Sequence, residues 1–551
     1  MLILAPLLRP GYLLLRDAVS TPRSYLSDVA LGLGEAAPRA VPQDFAVALG
    51  SHLVDGGIVV KALLAAGLWL AGWGAARLVT AVLPESGMSG QLVAITVVVW
   101  NPYVAERLLQ GHWSLLIGYG CLPWVAAAAL RWAQSGDRRA LCALMFWMAA
   151  AGLTPTGLLL AVLVALAGVA VPGPARPGWL RAAVVAVVAA VATLPWSVAL
   201  LLGPSSAPGE VSGVAAFAAR AEPGLGTLGS LVGLGGIWNS GAVPDTRTTL
   251  FALPATLLLA GVLLVGLPVA ARRAAGVPLL ALAVAAVLAV AALATGPGQA
   301  VLRTAIEAVP SLGVLRDGQK WVALTVPGYA LAAAASVVLL KRHLQHRWAP
   351  AAAATVCCVA LIATLPDLAW GAGGRVAPVH YPPAWPAVAA MVNADPRPVA
   401  VLPAGTMRRF AWAGPAPVLD PLPRWVRADV LATGDLTVSG KTVPGEGSHG
   451  RAVQELLLAG ADPAALVRAG VGWVVVESGT EGETGASATT LARLQVAYRD
   501  ADLTLYRVGG DMAGASAGRR RLAVLAHLAW LALLVAGAAG AVVPRPARTP
   551  G

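Results

Sequence analysis

The chain has 551 residues, of which 58% are hydrophobic and 12% charged, and its mean hydropathy is +0.73. An ordinary soluble protein carries about 25% charged residues, so a set of soluble globular domains is excluded. The net charge of +12 is spread over loop ends and does not form one basic face, which disfavours nucleic-acid binding.

Apolar runs recur along the chain, and most are long enough to cross a hydrocarbon layer of about 30 Å as helices. About twelve transmembrane spans are predicted, at residues 2–15, 58–80, 91–102, 113–130, 140–152, 156–172, 182–202, 249–270, 277–295, 321–340, 349–370 and 522–543. The first run is short for a complete span, which leaves room for a start upstream of Met1. All four cysteines lie inside apolar runs, so neither a disulfide framework nor a cysteine metal site is predicted.

Lysine and arginine in short loops set the orientation of a membrane protein. With the N-terminus inside, the cytoplasmic loops and tail carry Arg131, Arg138, Arg139, Arg176, Arg181, Arg272, Arg273, Lys341, Arg342, Arg347, Arg545 and Arg548. Arg519–Arg521 oppose this orientation, because they precede the last span on the outer side. The outer side of the membrane then holds the loops 16–57, 204–248 and 296–320.

A large outer segment, residues 372–520, is predicted to be an extracytoplasmic α/β domain. The stretches PVAVLP at 398–403, GWVVVE at 472–477 and LTLYRV at 503–508 are typical of short strands, and 451–469 is typical of an amphipathic helix. We therefore divide the chain into a polytopic α-helical membrane domain (1–371), this α/β domain, and a final helix with a cytoplasmic tail (521–551).

Ionisable residues are rare inside the spans and collect at their outer ends. Four stretches stand out: RDAVSTP at 16–22, NPYVAERLLQGHW at 101–113, GGIWN at 235–239 and LRDGQKW at 315–321. They and the first outer loop supply the candidate site residues Arg16, Asp17, Asp28, Asp44, Glu106, Arg107, His112, Trp238, Asn239, Arg316, Asp317 and Lys320.

Each candidate also has a plainer structural explanation. The three aspartates of the first loop are alternatively solvated acids or helix caps, and Glu106 with Arg107 could be an interfacial pair that fixes a tight turn. His112 could be a turn residue, while Arg316, Lys320 and Trp238 could anchor the chain at the membrane interface. Convergence of these residues in space would favour a site.

These stretches, taken with the outer segment that ends in GWVVVE and LTLYRV, resemble polytopic glycosyltransferases of the GT-C type. Within that group the chain is most similar to actinobacterial cell-envelope arabinofuranosyl- and mannosyltransferases. The resemblance implies a polyprenyl-phosphate sugar donor used at the outer face and an envelope glycan or glycolipid acceptor. It also implies that an acid of the first outer loop, here Asp17, is the catalytic base.

The chemistry of such a transfer agrees with the residues present. A carboxylate such as Asp17 would take the proton of the acceptor hydroxyl, and Arg316, Lys320 and Arg107 would hold the departing phosphate. Displacement in one step would invert the anomeric centre. Asp17 with Asp28 or Asp44 could offer oxygen ligands to a divalent cation, although their spacing does not demand one.

Two other functions remain open at this point. A lipid or polysaccharide transporter or flippase would need a polar path through the membrane, and the clean spans argue against it. A non-catalytic assembly factor with a transferase-like fold would tolerate replacement of Asp17.

Overall fold

The computed structural model describes residues 1–174, 176–203, 213–343, 346, 348–438 and 440–542. The helices are α1 (Gln43–Gly50), α2 (Gly56–Val82), α3 (Gly87–Val99), α4 (Pro102–Gln110), α5 (Trp113–Ser135), α6 (Arg138–Ala151), α7 (Pro155–Val169), α8 (Gly178–Leu202), α9 (Gly226–Val232), α10 (Ala252–Ala270), α11 (Gly276–Leu293), α12 (Gly296–Ala308), α13 (Val326–His343), α14 (Ala349–Ala363), α15 (Ala369–Gly373), α16 (Ala384–Ala394), α17 (Leu422–Trp425), α18 (Ser448–Leu458), α19 (Pro463–Arg468), α20 (Ser487–Leu491) and α21 (Ala517–Val542).

The strands are β1 (Leu14–Leu15), β2 (Ala18–Val19), β3 (Val399–Leu402), β4 (Met407–Arg408), β5 (Val418–Leu419), β6 (Val430–Leu431), β7 (Leu436–Val438), β8 (Lys441–Val443), β9 (Trp473–Glu477), β10 (Gln495–Arg499) and β11 (Leu503–Arg507). Short 3-10 helices connect several of these elements, among them Leu2–Leu8 and Gly318–Thr325.

The chain is a multi-pass membrane protein. In the described part of the chain, eight helical segments are long and apolar enough to cross a membrane, or nine if the bent pair Ala349–Ala363 and Pro366–Gly373 is one span. The predicted spans 140–152 and 156–172 correspond to α6 and α7, with 14 and 15 residues. At 1.5 Å per residue these two helices are shorter than a 30 Å hydrocarbon layer.

The predicted first span, residues 2–15, is wrong. Its helical part is the seven-residue Leu2–Leu8, which contains Pro6 and ends in extended backbone at Arg9. Proline removes a backbone donor and stops an α-helix from propagating. The Lys61 ammonium, near the start of α2, donates to the carbonyls of Arg9 and Gly11, both at 3.0 Å. Residues 2–15 therefore stay at one end of the helix bundle.

The centre of the bundle is α5, whose apolar residues are all buried inside the protein. It packs against α2, α6 and α7. At Gly120 a Cβ atom would fall far closer than 3.0 Å to the Gly67 carbonyl of α2. Glycine therefore lets these two helices approach closely, as small residues do in membrane helix pairs.

Contacts between loops agree with the predicted grouping of the helix ends. Glu85, between α2 and α3, pairs with Arg273, between α10 and α11. Arg520, one of the three arginines that opposed the orientation, pairs with Asp28 of the first loop at 2.6 and 2.8 Å. Its charge is thereby neutralised locally. The predicted cytoplasmic residues Arg347, Arg545 and Arg548 lie outside the described residues.

Residues 399–507 form a five-stranded mixed sheet with the strand order β10-β11-β9-β3-β6. The strands β6, β3 and β9 are parallel, whereas β11 and β10 are antiparallel additions. The three predicted strand segments form β3, β9 and β11. The single helix predicted at 451–469 is instead the pair α18 and α19, separated by Gly460 in left-handed conformation.

Alternate residues of the sheet enter two separate cores, because successive side chains of a strand point to opposite faces. Val399 and Val475 pack with α16 on one face, while Ala400 and Val474 pack with α18 and α19 on the other. Leu14 and Val19 of the N-terminal hairpin β1–β2 also enter the α16 core. The hairpin thus packs into the core of the sheet region.

Candidate active site

The two-residue turn between β1 and β2 presents Asp17. Its neighbour Arg16 bonds to β5 on both sides: the Arg16 amide donates to the Pro417 carbonyl at 3.1 Å, and the Leu419 amide donates to the Arg16 carbonyl at 2.8 Å. The Asp17 amide donates to the Gln110 carbonyl at 3.2 Å. The turn is therefore held between the sheet region and the end of α4.

The Arg16 side chain supports the turn from within. It is buried and donates to the carbonyls of Leu109 and Gly241. Its backbone is left-handed, with φ +48°, a conformation that costs an L-residue about 1–2 kcal/mol. Arg16, predicted as a site candidate, thus positions Asp17.

Gly111 allows α4 and the hairpin to come together. It ends α4 in the left-handed conformation, with φ +83°, which favours glycine. A Cβ atom there would fall far closer than 3.0 Å to the Ala18 amide nitrogen and the Leu15 carbonyl oxygen. A side chain at this position would push Asp17 away from α4.

The Asp17 carboxylate is bound on one oxygen. Its Oδ2 accepts from Gln110 Nε2 at 3.0 Å and contacts His112 Nε2 at 2.9 Å, while Oδ1 has no hydrogen-bond partner in the described part of the chain. The side chain is 36% exposed. Burial by itself would raise the pKa of Asp17, but the bonds from His112 and Gln110 and the Lys320 charge outweigh it and lower that pKa. Asp17 is therefore an anion at neutral pH with one open oxygen.

His112 links Asp17 to Arg107. Its Nδ1 lies 3.0 Å from Arg107 Nη1, and a guanidinium can only donate. Nδ1 must therefore accept, so the proton of a neutral imidazole is on Nε2 and is donated to Asp17. Burial, followed by the Lys320 charge, lowers the pKa of His112, in agreement with this neutral tautomer.

Arg107 was expected to bind the donor phosphate, and the structure corrects this expectation. Its guanidinium is 0% exposed and forms a two-pronged pair with Asp317 at 2.8 and 3.0 Å. It also donates to Gln319. Despite burial, the charges of Arg107 and Lys320 hold the pKa of Asp317 well below its usual range. Arg107 is enclosed, and it orients His112.

Glu106 is buried on the other side of Gln319. It accepts from the Gly236 and Ile237 amides, both at 3.2 Å, and from Gln319 Nε2 at 2.9 Å. Gln319 therefore uses its carbonyl oxygen for Arg107 and its amino group for Glu106. The expected pair between Glu106 and Arg107 is replaced by this bridge, which ties α4 to the 235–237 loop.

Two cations border the site, Arg316 just before the 3-10 helix Gly318–Thr325 and Lys320 within it. Lys320 is 24% exposed, with Nζ 3.5 Å from Asp317 Oδ2. Arg316 lies over the Phe217 ring, 5.5 Å from its centroid, and Phe217 meets Trp238 edge-on at 4.8 Å. Asn239 Nδ2 donates to Gln110 Oε1 at 2.7 Å. The four predicted stretches thus converge around Asp17.

Asp28 and Asp44 are occupied elsewhere. Asp28 pairs with Arg520 and accepts from the Ala515 amide, while Asp44 lies 3.4 Å from Arg424. The arrangement of either aspartate with Asp17 around a cation, which the sequence left open, is therefore not formed. Among the described residues, no group of three or more His, Cys, Asp or Glu side chains could hold a metal.

Gln110 and Gln319 were missed as site residues, although both lie in stretches that the sequence singled out. The Gln110 side chain donates to Asp17 and accepts from Asn239. The Gln319 side chain accepts from Arg107 and donates to Glu106. Each glutamine lies within two residues of a predicted acid or base in the sequence, and this proximity could have identified it as a site residue. Two buried indole N–H groups within these stretches, from Trp238 and Trp321, have no acceptor among the described residues.

No protein-family model and no curated protein matches this chain. Among solved structures, it is similar to the arabinofuranosyltransferase AftD from Mycobacteria, with a TM-score of 0.55 and 19% identity over 90% of this chain and 39% of that chain. A mutant form of AftD gives a TM-score of 0.54, also at 19% identity, over 93% of this chain and 41% of that chain.

The chain corresponds to about two-fifths of the length of AftD. The similarity covers nearly all of this chain. This multi-pass membrane protein therefore has the fold of part of the mycobacterial arabinofuranosyltransferase AftD.

Proposed function

We propose that the chain is a membrane glycosyltransferase of the cell envelope that moves a sugar, arabinofuranose or mannose, from a polyprenyl phosphate to a glycan or glycolipid. The observation that carries this proposal is the Asp17 carboxylate, ionised, bound on one oxygen and open on the other. A base for an acceptor hydroxyl needs this combination. The AftD-like fold supports it.

In the proposed reaction the acceptor hydroxyl oxygen attacks the anomeric carbon as its bond to the phosphate oxygen breaks. The hydroxyl proton passes to Asp17 Oδ1, and polyprenyl phosphate leaves as the anion. A single displacement inverts the anomeric centre. His112 and Gln110 keep Asp17 in place by occupying Oδ2.

The leaving phosphate needs fixed positive charge close to Asp17. Lys320 is the best-placed cation, because it is partly exposed and its charge acts on both Asp17 and His112. We assign Arg316 to the same phosphate from the Phe217 side. The unpartnered indole N–H groups of Trp238 and Trp321 are available as further donors.

We place the reaction at the outer face of the membrane, with residues 372–520 outside. The hairpin, the α4–α5 junction and the sheet region share one end of the bundle. Arg273, which pairs with Glu85 after α2, and Arg181, which donates to the Ala133 carbonyl near the end of α5, lie at the opposite ends of these helices. Positively charged short loops favour the cytoplasmic side. Nucleotide sugars are absent outside, so a lipid-linked donor is required there.

The test is sugar transfer in membranes from cells that express the wild type or Asp17→Asn, with polyprenyl-phosphate arabinofuranose and polyprenyl-phosphate mannose as donors. We expect transfer by the wild type and a loss of about 10²–10⁴-fold in the variant, the usual contribution of a general base. Asp245→Asn is the matched control, because that carboxylate is 88% exposed and should leave transfer unchanged.

Equal transfer by wild type and Asp17→Asn would remove Asp17 from the mechanism. No transfer with either donor, in protein whose thermal unfolding is normal, would overturn the transferase proposal and favour a transporter or an assembly factor.

A further inference from the structure

A cavity of about 110 Å³ lies in the sheet region, beside the carboxyl ends of the parallel strands β3 and β6. Val401 and Thr406 line it at the β3 end, Leu431 and Thr433 at the β6 end, and Gln454 of α18 from the side. The chain runs from β3 to β6 and then crosses back to β9 on the other side of β3. In open α/β sheets, ligands bind in crevices outside the carboxyl ends of the strands. The reversal of strand order falls between β3 and β9, whereas this cavity lies on the β6 side of β3.

Polar side chains meet in this cavity. Thr406 Oγ1 is buried and has no hydrogen-bond partner among the described residues. The half-buried Gln454 side chain also lines the cavity. Asp420, 11% exposed, also lines the wall. A buried polar group without a partner costs about 1–3 kcal/mol, which a ligand or water that bonds to it would recover.

The charges next to the cavity are internally balanced. Arg408 is 2% exposed, bonds to Glu477 and lies 3.9 Å from Asp420. Burial and the Asp420 charge raise the pKa of Glu477 to about 8, and burial raises the pKa of Asp420. The two carboxyls therefore share a proton at neutral pH, and with the guanidinium they sum to no net charge. Arg424, the other cation of the lining, pairs with Asp44 at 3.4 Å. An anionic ligand would therefore have to displace a carboxylate from either arginine.

We propose that this cavity binds one ring of a neutral, polyhydroxylated ligand, a sugar unit, whose hydroxyl groups bond to Thr406, Asp420 and Gln454. Hydroxyl groups both donate and accept, and so do the threonine hydroxyl and the glutamine amide. One water needs about 10–15 Å³ of such volume, so the cavity has room for about seven or more waters, or for one ring.

The cavity is close to Asp17. Asp420 follows Leu419, which is bonded to Arg16, the neighbour of Asp17. Two Cα–Cα steps of 3.8 Å and one strand spacing of about 5 Å put the Asp420 and Asp17 Cα atoms within about 13 Å. We assign the bound ring to the acceptor glycan, and this assignment rests on the proposed function.

The experiment measures binding of methyl arabinofuranoside, methyl mannoside and the anion glucuronate to the full chain in detergent, by saturation-transfer NMR. We expect a neutral glycoside to bind, with at least five-fold weaker binding in Thr406→Val and Gln454→Ala and unchanged binding in Asp17→Asn. Gln495→Ala is the matched control, because Gln495 is an exposed residue of β10. Thr406→Val removes a hydroxyl without a partner among the described residues, and Gln454→Ala shortens a half-buried side chain, so we expect both variants to fold.

Binding that is unchanged in both cavity variants, absent for both neutral glycosides, or tighter for glucuronate would overturn the proposal. With an oligosaccharide acceptor, a raised KM and unchanged kcat in Gln454→Ala would identify the ring as part of the acceptor. An unchanged KM would identify a free sugar. The proposed function fails separately, through the transfer assay with Asp17→Asn, whereas this site is judged by binding.

Discussion

Two buried guanidinium groups in this protein behave in opposite ways. Arg107, at the helix bundle, faces one carboxylate, Asp317, and every polar atom of that pair has a donor or acceptor of matching type except Arg107 Nε. Arg408, in the sheet region, faces two carboxyls, Asp420 and Glu477. The pKa of Asp317 is lowered, whereas the pKa values of Asp420 and Glu477 are raised.

The difference shows that the ratio of carboxyl groups to neighbouring cations, and not the residue type, decides whether a buried carboxyl is protonated. One carboxylate beside two cations, Arg107 and Lys320, keeps its charge, and its ion pair with Arg107 orients His112 and through it Asp17. Two carboxyls for one guanidinium must share a proton, which leaves a neutral cluster beside a cavity. The first arrangement is suited to hold a catalytic base, and the second to meet a neutral ligand.

The largest expected effect comes from removing the guanidinium at the bundle. Arg107→Met leaves the buried Asp317 carboxylate with Lys320 alone, at 3.5 Å, and leaves His112 Nδ1 and Gln319 Oε1 without their donor. We therefore expect a loss of about 3–5 kcal/mol in the free energy of unfolding. Arg408→Met should cost less, about 1–3 kcal/mol, because Asp420 and Glu477 can bind a second proton. Chemical denaturation in detergent compares the two variants.

The double variant Arg107→Met/Asp317→Leu is the control, since removal of both charges should restore part of the stability. A larger loss for Arg408→Met than for Arg107→Met would contradict the comparison.

Gly111→Ala tests whether sugar transfer depends on the close approach of the Asp17 hairpin to α4. The added Cβ displaces the hairpin from α4, and a misplacement of about 1 Å can cost about 10²-fold in rate. We expect transfer to fall by about that factor. Gly440→Ala is a control with the same backbone requirement, φ +77°, but open space around it. Wild-type transfer by Gly111→Ala would show that the hairpin adapts.

The pH dependence of local stability should have opposite signs in the two regions. The raised pKa of Glu477 means that the folded state keeps a proton that the unfolded state loses above about 4.5, so stability at the sheet falls as pH rises from about 4.5 to 8. The pKa of Asp317 is lowered in the folded state, so its ionised carboxylate stabilises the bundle above about pH 3.8. This stabilisation is lost as the pH falls below that value.

Hydrogen exchange of peptides from β9 and from the start of α13, measured across pH and corrected for intrinsic exchange, separates the two regions. Glu477→Gln should flatten the dependence at β9, and Asp317→Asn should flatten that at α13. The same slope in both regions would refute the assignment.

The smallest expected effect is at the edge of the Asp17 network. Asn239→Ala removes the neutral hydrogen bond to Gln110, worth about 1 kcal/mol, and the bond that Asn239 accepts from the Gly241 amide on the exposed side. We expect transfer to fall about five-fold, with a loss of about 1 kcal/mol in the free energy of unfolding. Asn393→Ala, which removes hydrogen bonds within the sheet region, should lower stability without that loss of transfer. A loss near that of Asp17→Asn would mean that Asn239 contacts the substrate.

The membrane helices and the strands could be predicted locally because length and hydrophobic periodicity are properties of contiguous residues. The runs at 58–80 and 522–543 and the strand GWVVVE were each identified in this way. The run at 2–15 failed because Pro6 and Pro10 interrupt helical hydrogen bonding inside an apolar segment. Hydrophobicity alone does not register that interruption.

The candidate site could be predicted in part. Asp17, Lys320 and the stretches around them were identified because acids and bases are rare in such a chain. The enclosure of Arg107, the bridge through Gln319 and the removal of Asp28 to Arg520 were not visible, since each depends on a partner more than 200 residues away.

The sequence by itself determined that this is a multi-pass membrane protein with polar chemistry at one end of its helices, because apolar length and charge placement are local. Only the tertiary structure decided which ionisable groups are paired, buried or open. Those states depend on the distances and the water access that packing creates between residues far apart in the chain.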